Sequence, residues 1–380
     1  MTGAGRPTVS VVVTNHNYAP YLSAALDSAL GQTYPVTEVV VVDDGSTDGS
    51  REILAAYADQ VETVLQEQQG ESAAVNVGVA RAQGELVCLL DSDDVLLPRA
   101  LEEAVARFDR PDVTDVEWTL WVIDAQGRRT GELIPRQPPH GGALREALVR
   151  VGPDACDFVP NSGHLFHRSV CDATLPLPDD PRCDSDSVLA MVAGLMGRVA
   201  VLPEPMGLYR VHGRNKYAAL GFLGKLEHDR GSVAFRCQLL AEHCRRLGLP
   251  AEPERWRAQA WVERVATAVA EIEGATPAGA TVALLDDGDW GPAEVGGRHL
   301  IPFPSRDGVY WGRPADEAAA VEELERIRAD GAGYLAITWA GLWWLEHYRE
   351  LAAKLRACGA PLLSNDRLLI VDLNGRPMDR

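Results

Sequence analysis

Four apolar stretches of strand length alternate with helical stretches at the start of the chain, and this alternation permits few folds. The strands are predicted at residues 8–14, 39–42, 61–65 and 86–90, and the helices between them at residues 18–30, 48–57 and 72–82. Continuous aliphatic and β-branched runs are typical of strands that are covered on both faces. The alternation predicts an α/β fold with a mostly parallel sheet, right-handed crossovers and helices on both faces.

The pattern becomes less regular after residue 115. Strands are predicted at residues 116–123, 160–167, 199–202 and 206–211, and helices at residues 142–150, 186–195, 220–247 and 253–273. Residues 274–279 have the composition of a linker. A small α/β unit follows, with strands at 281–285, 334–338 and 368–373 and helices at 315–329 and 342–357. We therefore expect three parts: a large α/β domain at 1–217, a helical linker region at 218–275 and a small accessory domain at 276–380.

The charge balance restricts the partners of this chain. Its 36 lysines and arginines face 55 acidic residues, for a net charge of −19. Nucleic acids and anionic membranes attract basic patches, so the balance argues against both. It does not argue against a nucleotide ligand, because a bound metal can neutralise phosphates locally.

Two further features predict a cytoplasmic location. No stretch is long and apolar enough to span a bilayer, and residues 1–7 lack the apolar core of a signal peptide. The seven cysteines are scattered and form no Cys-x-x-Cys pair. We expect them to be reduced thiols rather than a disulfide framework or a zinc site.

Three carboxylates stand at the end of the fourth predicted strand. Asp91, Asp93 and Asp94 follow the apolar run of residues 86–90. Ligands of α/β proteins collect at the carboxyl ends of parallel strands, and oxygen ligands suit Mg²⁺ or Mn²⁺. The alternative is ordinary capping of the helix that follows Pro98.

Polar side chains also follow the first two strands. Thr14, His16 and Asn17 end the first strand, and a hydroxyl, an imidazole and an amide together suit the edge of a planar base. Asp44 ends the second strand, where a carboxylate can accept an N–H from a base. Helix capping and an Asx-turn are the competing explanations. The chain lacks both G-x-G-x-x-G after the first strand and G-x-x-x-x-G-K-[ST]. The main motifs of dinucleotide-binding domains and of P-loop proteins are therefore missing from the sequence.

Three later polar groups are further candidates. Asp184 and Asp186 precede or begin a predicted helix, where either could be a general base or simply an N-cap. His212 follows a strand and could complete a metal site with Asp93, or could be structural. His164 and His167 are not expected to form a metal pair, because that spacing on a strand directs them to opposite faces.

Six blocks in fixed order carry a resemblance to a known family. They are PTVSVVVTNHNYAPYLSAALDSALGQTYP, VVVVDDGSTDGSREIL, NVGVARAQGELVCLLDSDDVLLP, PNSGHLFHRSV, CDSDSVLAMVAGLMG and GLYRVHG, within residues 7–215. This region resembles the family 2 glycosyltransferases, inverting enzymes of the GT-A fold that use nucleotide sugars. The resemblance implies a nucleoside-diphosphate sugar donor, most simply a uridine one, a Mn²⁺ or Mg²⁺ cofactor, and a small-molecule or glycan-precursor acceptor.

The resemblance also implies roles for individual residues. Thr14, His16 and Asp44 line the nucleobase pocket, with His16 where the family usually has tyrosine. Asp91 reaches the ribose or metal, and Asp93 is the metal-binding acid of the D-x-D signature. Asp184 matches the acid that deprotonates the acceptor, although Cys183 replaces the usual preceding glutamate and leaves Asp186 as the alternative. His212 matches a histidine that closes over the diphosphate and metal.

The alternatives to a transferase are a nucleotidyltransferase and a non-catalytic scaffold that binds sugar nucleotides. A nucleotidyltransferase would want a glycine-rich basic loop after the first strand, which this chain lacks. The absence of a Gln-x-x-Arg-Trp block favours addition of a single sugar over processive synthesis. In the accessory domain, Trp339, Trp343 and Trp344 are expected to be core residues more often than sugar-stacking ones, and the domain could position the acceptor or support a homo-oligomer.

Overall fold

The computed structural model describes residues 6–215, 220–287, 290 and 292–375 of the 380-residue chain. Contacts divide the chain into two compact units. Unit 1 comprises Met1–Ala218 and Gly231–Ala260, and unit 2 comprises Ala219–Arg230 and Trp261–Arg380. The predicted boundary between residues 217 and 218 lies outside the described residues, and the three-part division stays a prediction.

The first four strands of unit 1 follow the predicted alternation, and their ends differ from the predicted ends by no more than two residues. The elements are β1 Val9–Asn15, α1 Ala19–Leu30, β2 Glu38–Asp44, α2 Ser50–Ala56, β3 Glu62–Gln66, α3 Glu71–Arg81 and β4 Leu86–Asp91. All pairings among these four strands are parallel, in the order β3-β2-β1-β4. Gly78 lets α3 approach the sheet closely, since a Cβ there would lie 2.4 Å from Val12 Cγ1.

The rest of unit 1 extends this sheet and adds a second one. The elements are β5 Val95–Leu96, α4 Ala100–Val105, β6 Val113–Glu117, β7 Leu120–Ile123, β8 Arg129–Ile134, β9 Gly142–Ala143, α5 Arg145–Val151, β10 His164–His167, α6 Arg168–Thr174, α7 Ser185–Met196, β11 Arg198–Val201 and β12 Gly207–Arg210, with 3₁₀ turns at Pro153–Ala155 and Asn161–Gly163. The large sheet has the order β3-β2-β1-β4-β10-β6-β11-β9, in which β10 runs antiparallel to both neighbours. The predicted α/β class with a mainly parallel sheet is confirmed.

The single strand predicted at residues 116–123 is wrong. The chain leaves the large sheet after β6 and enters the second sheet, of order β5-β12-β7-β8, at β7. Trp118, between the two strands, is fully buried in the core that both sheets share. The apolar run is therefore continuous across the point where the chain passes from one sheet to the other, which is why it was predicted as a single strand. This second sheet brings β12 and the loop after it next to the residues that follow β4.

Three helices follow unit 1's sheets in sequence: α8 Phe222–Arg246, α9 Pro253–Gln259 and α10 Trp261–Ala275. The single helix predicted at 253–273 is interrupted, because Ala260 has extended backbone angles (φ −60°, ψ 140°). Residues 231–246 of α8 and all of α9 belong to unit 1, where Trp256 is buried and donates its indole N–H to Val149 O at 3.0 Å.

Unit 2 has its own sheet. Its remaining elements are β13 Thr281–Leu285, β14 Ala293–Val295, β15 Arg298–Pro302, β16 Ser305–Arg306, β17 Val309–Tyr310, α11 Glu317–Ala329, β18 Tyr334–Thr338, α12 Trp344–His347, α13 Arg349–Ala357, β19 Leu363–Ser364 and β20 Leu368–Asp372. The sheet order is β14-β15-β13-β18-β20-β19. The helix predicted at 342–357 is broken at Tyr348 (φ −101°, ψ 82°). Trp344 is fully buried, as expected of a core residue, whereas Trp343 is 36% exposed.

Within the described ranges, none of the helices combines the length and apolar character needed to cross a bilayer. All seven cysteines lie in these ranges, and each is a free thiol.

Candidate active site

The parallel pairing of β1, β2 and β4 brings their polar carboxyl ends together. Thr14 lies opposite Val42 on one side and Asp91 on the other, and Asn15 lies opposite Asp43. The sequence predicts candidates at all three strand ends, and this register places them on one edge of the sheet. The edge is where ligands of open α/β sheets bind.

Asp44 is almost fully buried and organises the segment that follows β3. Its carboxylate accepts hydrogen bonds from Gln66 Nε2 at 2.7 Å, from the Gln69 backbone N–H at 2.7 Å and from the Gly70 N–H at 2.8 Å. An ionised carboxylate has about four lone-pair sites, so these three donors leave roughly one for a ligand.

His16 has both ring nitrogens engaged. The Asn17 side-chain nitrogen Nδ2 can only donate, so His16 Nε2 accepts its N–H at 2.9 Å, and Nδ1–H donates to Asp44 O at 2.6 Å. Asn17 also accepts the Thr47 N–H at 2.8 Å and has a positive φ of 60°, which asparagine tolerates well. The Asn17 side chain therefore shapes the loop, and His16 has its ring edge occupied within the protein.

The residues after β4 form a buried acidic group. Asp93 and Asp94 are 8% and 1% exposed, and Asp94 Oδ2 has no hydrogen-bond partner among the described residues. Burial raises the pKa of all three carboxyls, and for Asp91 and Asp94 it does so strongly. Negative charge from Glu71 and Asp94 adds to the rise at Asp91. The site is therefore short of positive charge.

One buried arginine offsets part of this charge. Arg210, at the end of β12, is 6% exposed and donates from Nε to Asp93 O at 2.8 Å. Its backbone N–H donates to Asp94 Oδ1 at 2.9 Å, and its guanidinium lies 4.6 Å from the centre of the Tyr21 ring. Sequence reasoning missed Arg210, although it stands two residues before His212.

His212 contacts the predicted metal ligand directly. Its Nδ1 accepts the Arg214 backbone N–H at 3.1 Å, so the proton lies on Nε2, which donates to Asp93 Oδ2 at 2.9 Å. The ring stacks on Tyr21, with centroids 5.0 Å apart, and meets the edge of Tyr18 at 5.2 Å. Burial and the nearby Asp93 raise the pKa of Tyr18 to about 12. We call Asp91, Asp93, Asp94, Arg210 and His212 the strand-end cluster.

The two candidate bases stand at the start of α7. Asp184 precedes the helix, and its Oδ2 accepts a hydrogen bond from Ser232 Oγ of α8 at 2.7 Å. Asp186 lies in the first turn and is 9% exposed. Burial, followed by the charges of Asp184 and Glu71, raises the pKa of Asp186 to about 7.

Asn161 links the strand-end cluster to α7. Its Nδ2 lies 3.0 Å from Ser185 Oγ, 3.4 Å from Glu71 Oε1 and 3.5 Å from Asp91 Oδ1. The amide has two N–H groups for these three acceptors, so it satisfies at most two at once. Ser162 Oγ also accepts the Asp91 backbone N–H at 3.2 Å. Asn161 stands in the block PNSGHLFHRSV, but the resemblance gave it no role, and Glu71 lies outside all six blocks; the contacts of both residues are visible only in the fold.

The predicted site residues thus fall into three groups. Thr14, His16, Asn17 and Asp44 share the end of β1 and β2; Asp91, Asp93 and His212 lie in the strand-end cluster; Asp184 lies at α7. The second and third groups are connected through Asn161 and Ser185.

Comparisons with known proteins show what this chain is similar to. Residues 10–172 match the family model described as glycosyl transferase family 2. A glycosyltransferase from Nostoc sp. (strain PCC 7120) is 35% identical over 55% of this chain and 66% of its own length. The Bacillus subtilis protein EpsH, also named as a glycosyltransferase, is 29% identical over 54% of this chain and 61% of its own. The chain therefore spans less than two thirds of the length of these relatives.

A solved structure is also similar. The mannosyltransferase PcManGT from Pyrobaculum calidifontis, determined with GDP-Man and Mn²⁺, is 24% identical and has a TM-score of 0.48 over 72% of this chain and 77% of its own. The match to the family model, which covers β1–β4 and the strand-end aspartates, agrees with the sequence motifs. Residues 10–172 of this chain form a glycosyl transferase family 2 domain.

Proposed function

We propose that this chain is an inverting glycosyltransferase that moves one sugar from a nucleoside-diphosphate sugar, a uridine one in the first instance, to the hydroxyl of a small molecule or glycan precursor. The observation that carries the proposal is the Asn161 bridge. It joins Asp91 of the strand-end cluster to Ser185, between the two candidate bases. The donor would then bind on one side of the Asn161 side chain, and the acceptor would be deprotonated on the other side.

The nucleotide would bind at the ends of β1 and β2. The face of the His16 ring would contact the base, because both ring nitrogens are engaged within the protein. The remaining lone pair of Asp44 would accept an N–H of the base. Thr14 would line the base pocket with them, and Asp91, its partner in the register, would reach the ribose or the metal.

The strand-end cluster fits a divalent cation. It offers buried carboxylate oxygens, and Asp94 Oδ2 lacks a partner among the residues described, so a hard ion such as Mn²⁺ or Mg²⁺ would relieve a real deficit. Asp93 would be the principal ligand, and the chemistry supplied at this site is stabilisation of charge on the leaving diphosphate. His212, with its proton on Nε2, would donate a hydrogen bond to Asp93 or to the diphosphate, and would ligate the ion only after that proton moves.

The base would be a carboxylate of α7. Asp184 is the candidate from the sequence motif, and Ser232 orients it by a hydrogen bond. As the acceptor oxygen attacks the anomeric carbon, this carboxylate takes the hydroxyl proton, and the bond between the anomeric carbon and the diphosphate oxygen breaks. Asp186, with a pKa of about 7, is the alternative base.

The same proposal extends to the setting of the protein. The acidic charge balance supports a nucleotide partner rather than a nucleic acid, and the free thiols support a cytoplasmic location. Unit 2 would position the acceptor or support a homo-oligomer. Unchanged acceptor kinetics and unchanged solution mass after deletion of residues 276–380 would remove that role.

Calorimetric titration with UDP tests the proposal first. In the presence of Mn²⁺ the wild-type chain should bind UDP, and chelation of the metal or Asp93→Asn should abolish binding. Asp112→Asn, which alters an exposed carboxylate, is the matched control. Binding of GDP alone would change the donor class and leave the rest intact. If UDP and GDP both fail to bind, the transferase proposal is wrong; binding without hydrolysis or transfer would leave a non-catalytic scaffold.

A further inference from the structure

A second group of titratable side chains lies in the large sheet, apart from the strand-end cluster. Asp115 and Glu117 are two residues apart on β6, so their side chains lie on the same face. His164 on β10 is the register partner of Glu117. All three are buried, with exposures of 0%, 4% and 0%. We call Asp115, Glu117 and His164 the mid-sheet cluster.

The three side chains converge at one point. One ligand atom from each lies within 4.8 Å of the other two. His164 Nδ1 lies 2.9 Å from Asp115 Oδ2 and 4.0 Å from Glu117 Oε1. Two oxygens and a nitrogen that each bind a metal at about 2.0–2.2 Å lie roughly 3–4 Å from one another. Small side-chain rotations would bring the three ligand atoms to these separations.

The histidine is held in the orientation that a metal ligand needs. His164 Nε2 lies 3.1 Å from Val159 O, to which its N–H donates. A histidine whose second nitrogen donates to a backbone carbonyl has its tautomer and ring orientation fixed for coordination. His164 Nδ1 is the atom that this contact leaves facing the two carboxylates.

The cluster is also incomplete as it stands. Asp115 Oδ1 is inaccessible to solvent and has no hydrogen-bond partner among the described residues. Across the same residues, no lysine or arginine forms an ion pair with Asp115 or Glu117. Without a metal, His164 is hydrogen-bonded to acceptors through both ring nitrogens, so it carries two protons and offsets one of the two carboxylates. Once Nδ1 gives up its proton to bind a metal, two ionised carboxylates and a neutral imidazole carry a charge of −2, which burial does not tolerate uncompensated. One divalent cation balances that charge and supplies the missing partner.

We propose that the mid-sheet cluster is a structural site for one divalent transition-metal ion of the Zn²⁺ or Mn²⁺ type. Two carboxylates and one imidazole are ligands that both ions accept. The site would be separate from the metal of the strand-end cluster and would hold β6 to β10. The proposal does not depend on the sugar-transfer function.

Metal retention by the Asp93→Asn chain tests this site alone, because that substitution removes the principal ligand of the strand-end cluster. The full-length variant would be produced in medium supplemented with Zn²⁺ or Mn²⁺, dialysed against EDTA and analysed by mass spectrometry for metal. We expect about one equivalent of one of the two ions to survive dialysis, since the site is closed to solvent. Unfolding and refolding in EDTA should remove it and lower the melting temperature.

Ligand variants then locate the bound ion. Glu117→Gln and His164→Gln in the Asp93→Asn background should each lower the retained metal at least tenfold, whereas Asp112→Asn should not. Retention of less than a tenth of an equivalent of either ion by folded Asp93→Asn protein would overturn the proposal and leave protons as the occupants of the cluster. Full retention in both ligand variants would overturn it too. The first measurement keeps all three ligands, so it stands even if a ligand variant fails to fold.

Discussion

The strand-end cluster and the mid-sheet cluster have similar contents in different surroundings. Each combines buried carboxylates with a histidine, and each holds one carboxylate oxygen without a partner among the residues described. The strand-end cluster has a buried arginine and two tyrosines around it, and its aspartates follow β4 at the edge of the sheet where ligands of open α/β proteins bind. The mid-sheet cluster lies on β10 and β6, two interior strands of the large sheet, with Glu117 at the last residue of β6 and His164 at the first residue of β10. The two clusters therefore differ in the side chain that offsets their carboxylates, which is Arg210 in the strand-end cluster and His164 in the mid-sheet cluster.

The comparison predicts its largest effect on turnover at α7, next to the strand-end cluster. Asp184→Asn should keep donor binding and lose turnover by about 10²–10⁴-fold, because the acceptor proton has no base. Asp186→Asn is the companion variant, and exposed Asp112→Asn is the control. Steady-state turnover together with UDP titration separates binding from chemistry. A larger loss in Asp186→Asn would transfer the role of base to that residue, and full turnover in both variants would contradict a carboxylate base on α7.

Removal of the positive charge of Arg210 should show how much the folded chain depends on it to offset the strand-end carboxylates. Arg210→Met leaves the strand-end carboxylates without a buried positive charge and should lower the free energy of unfolding by about 3–5 kcal/mol in metal-free buffer. Arg81→Met breaks only an exposed ion pair with Glu62, for which we expect less than about 1 kcal/mol. Urea titration measures both. Equal losses would mean that Arg210 does not offset the buried acids.

Loss of the Asn161 bridge between Asp91 and α7 should lower stability and turnover less than loss of the charged residues that it connects. Asn161→Ala leaves buried acceptors without a donor and should cost about 1–3 kcal/mol of stability. Turnover should fall while UDP affinity changes little, because Ser185 and Asp91 lose their common partner. Asn161→Asp should not restore turnover, since it adds a carboxylate beside Asp91 and Glu71. Restoration by aspartate would show that only side-chain volume is needed.

The last expected effect is on the pH dependence of stability. Burial and neighbouring acids raise the pKa of Asp186 to about 7 and of Glu117 to about 8, while Asp115 and Glu117 raise the pKa of His164 to about 9 against the effect of burial. Each group binds protons more tightly in the folded chain, so the stability it contributes is present at low pH and lost as pH rises through the folded pKa. Melting temperatures in EDTA should therefore fall between about pH 4 and pH 9, and Glu117→Gln should reduce the slope over the lower part of that range, up to about pH 8. An unchanged slope would mean that Glu117 is ionised throughout.

The parallel half of unit 1 was the most predictable part of the molecule. β1, β2 and β4 are continuous apolar runs, and each pair of consecutive strands from β1 to β4 is joined by a single helix, so local pattern and tertiary structure agree. The run at residues 116–123 behaves differently. Its apolar character continues through Trp118 while the chain changes sheets, and nothing in the local pattern marks that change.

The site shows the same division. Asp91, Asp93 and Asp44 could be predicted because they stand at the ends of recognisable strands. Glu71 and Asn161 could not, because their roles arise from pairings across 70 to 114 positions of sequence. His164 and His167 were expected to lie on opposite faces, and they do: His164 is buried beside Asp115, whereas His167 is exposed and caps α6. The sequence contains no sign that Asp115 and His164 meet, since the antiparallel insertion of β10 between β4 and β6 brings them together.

The contact between Ser232 and Asp184 has a consequence for how new acceptor specificities could arise. Both residues lie beyond residues 10–172, the segment that matches the family model. A substitution at position 232 would redirect the candidate base while every described contact of Asp93, His212 and Arg210 stays as it is. Under the proposed function, the orientation of the base and the binding of the donor could then be altered independently, with the long helix α8 as the element that orients the base.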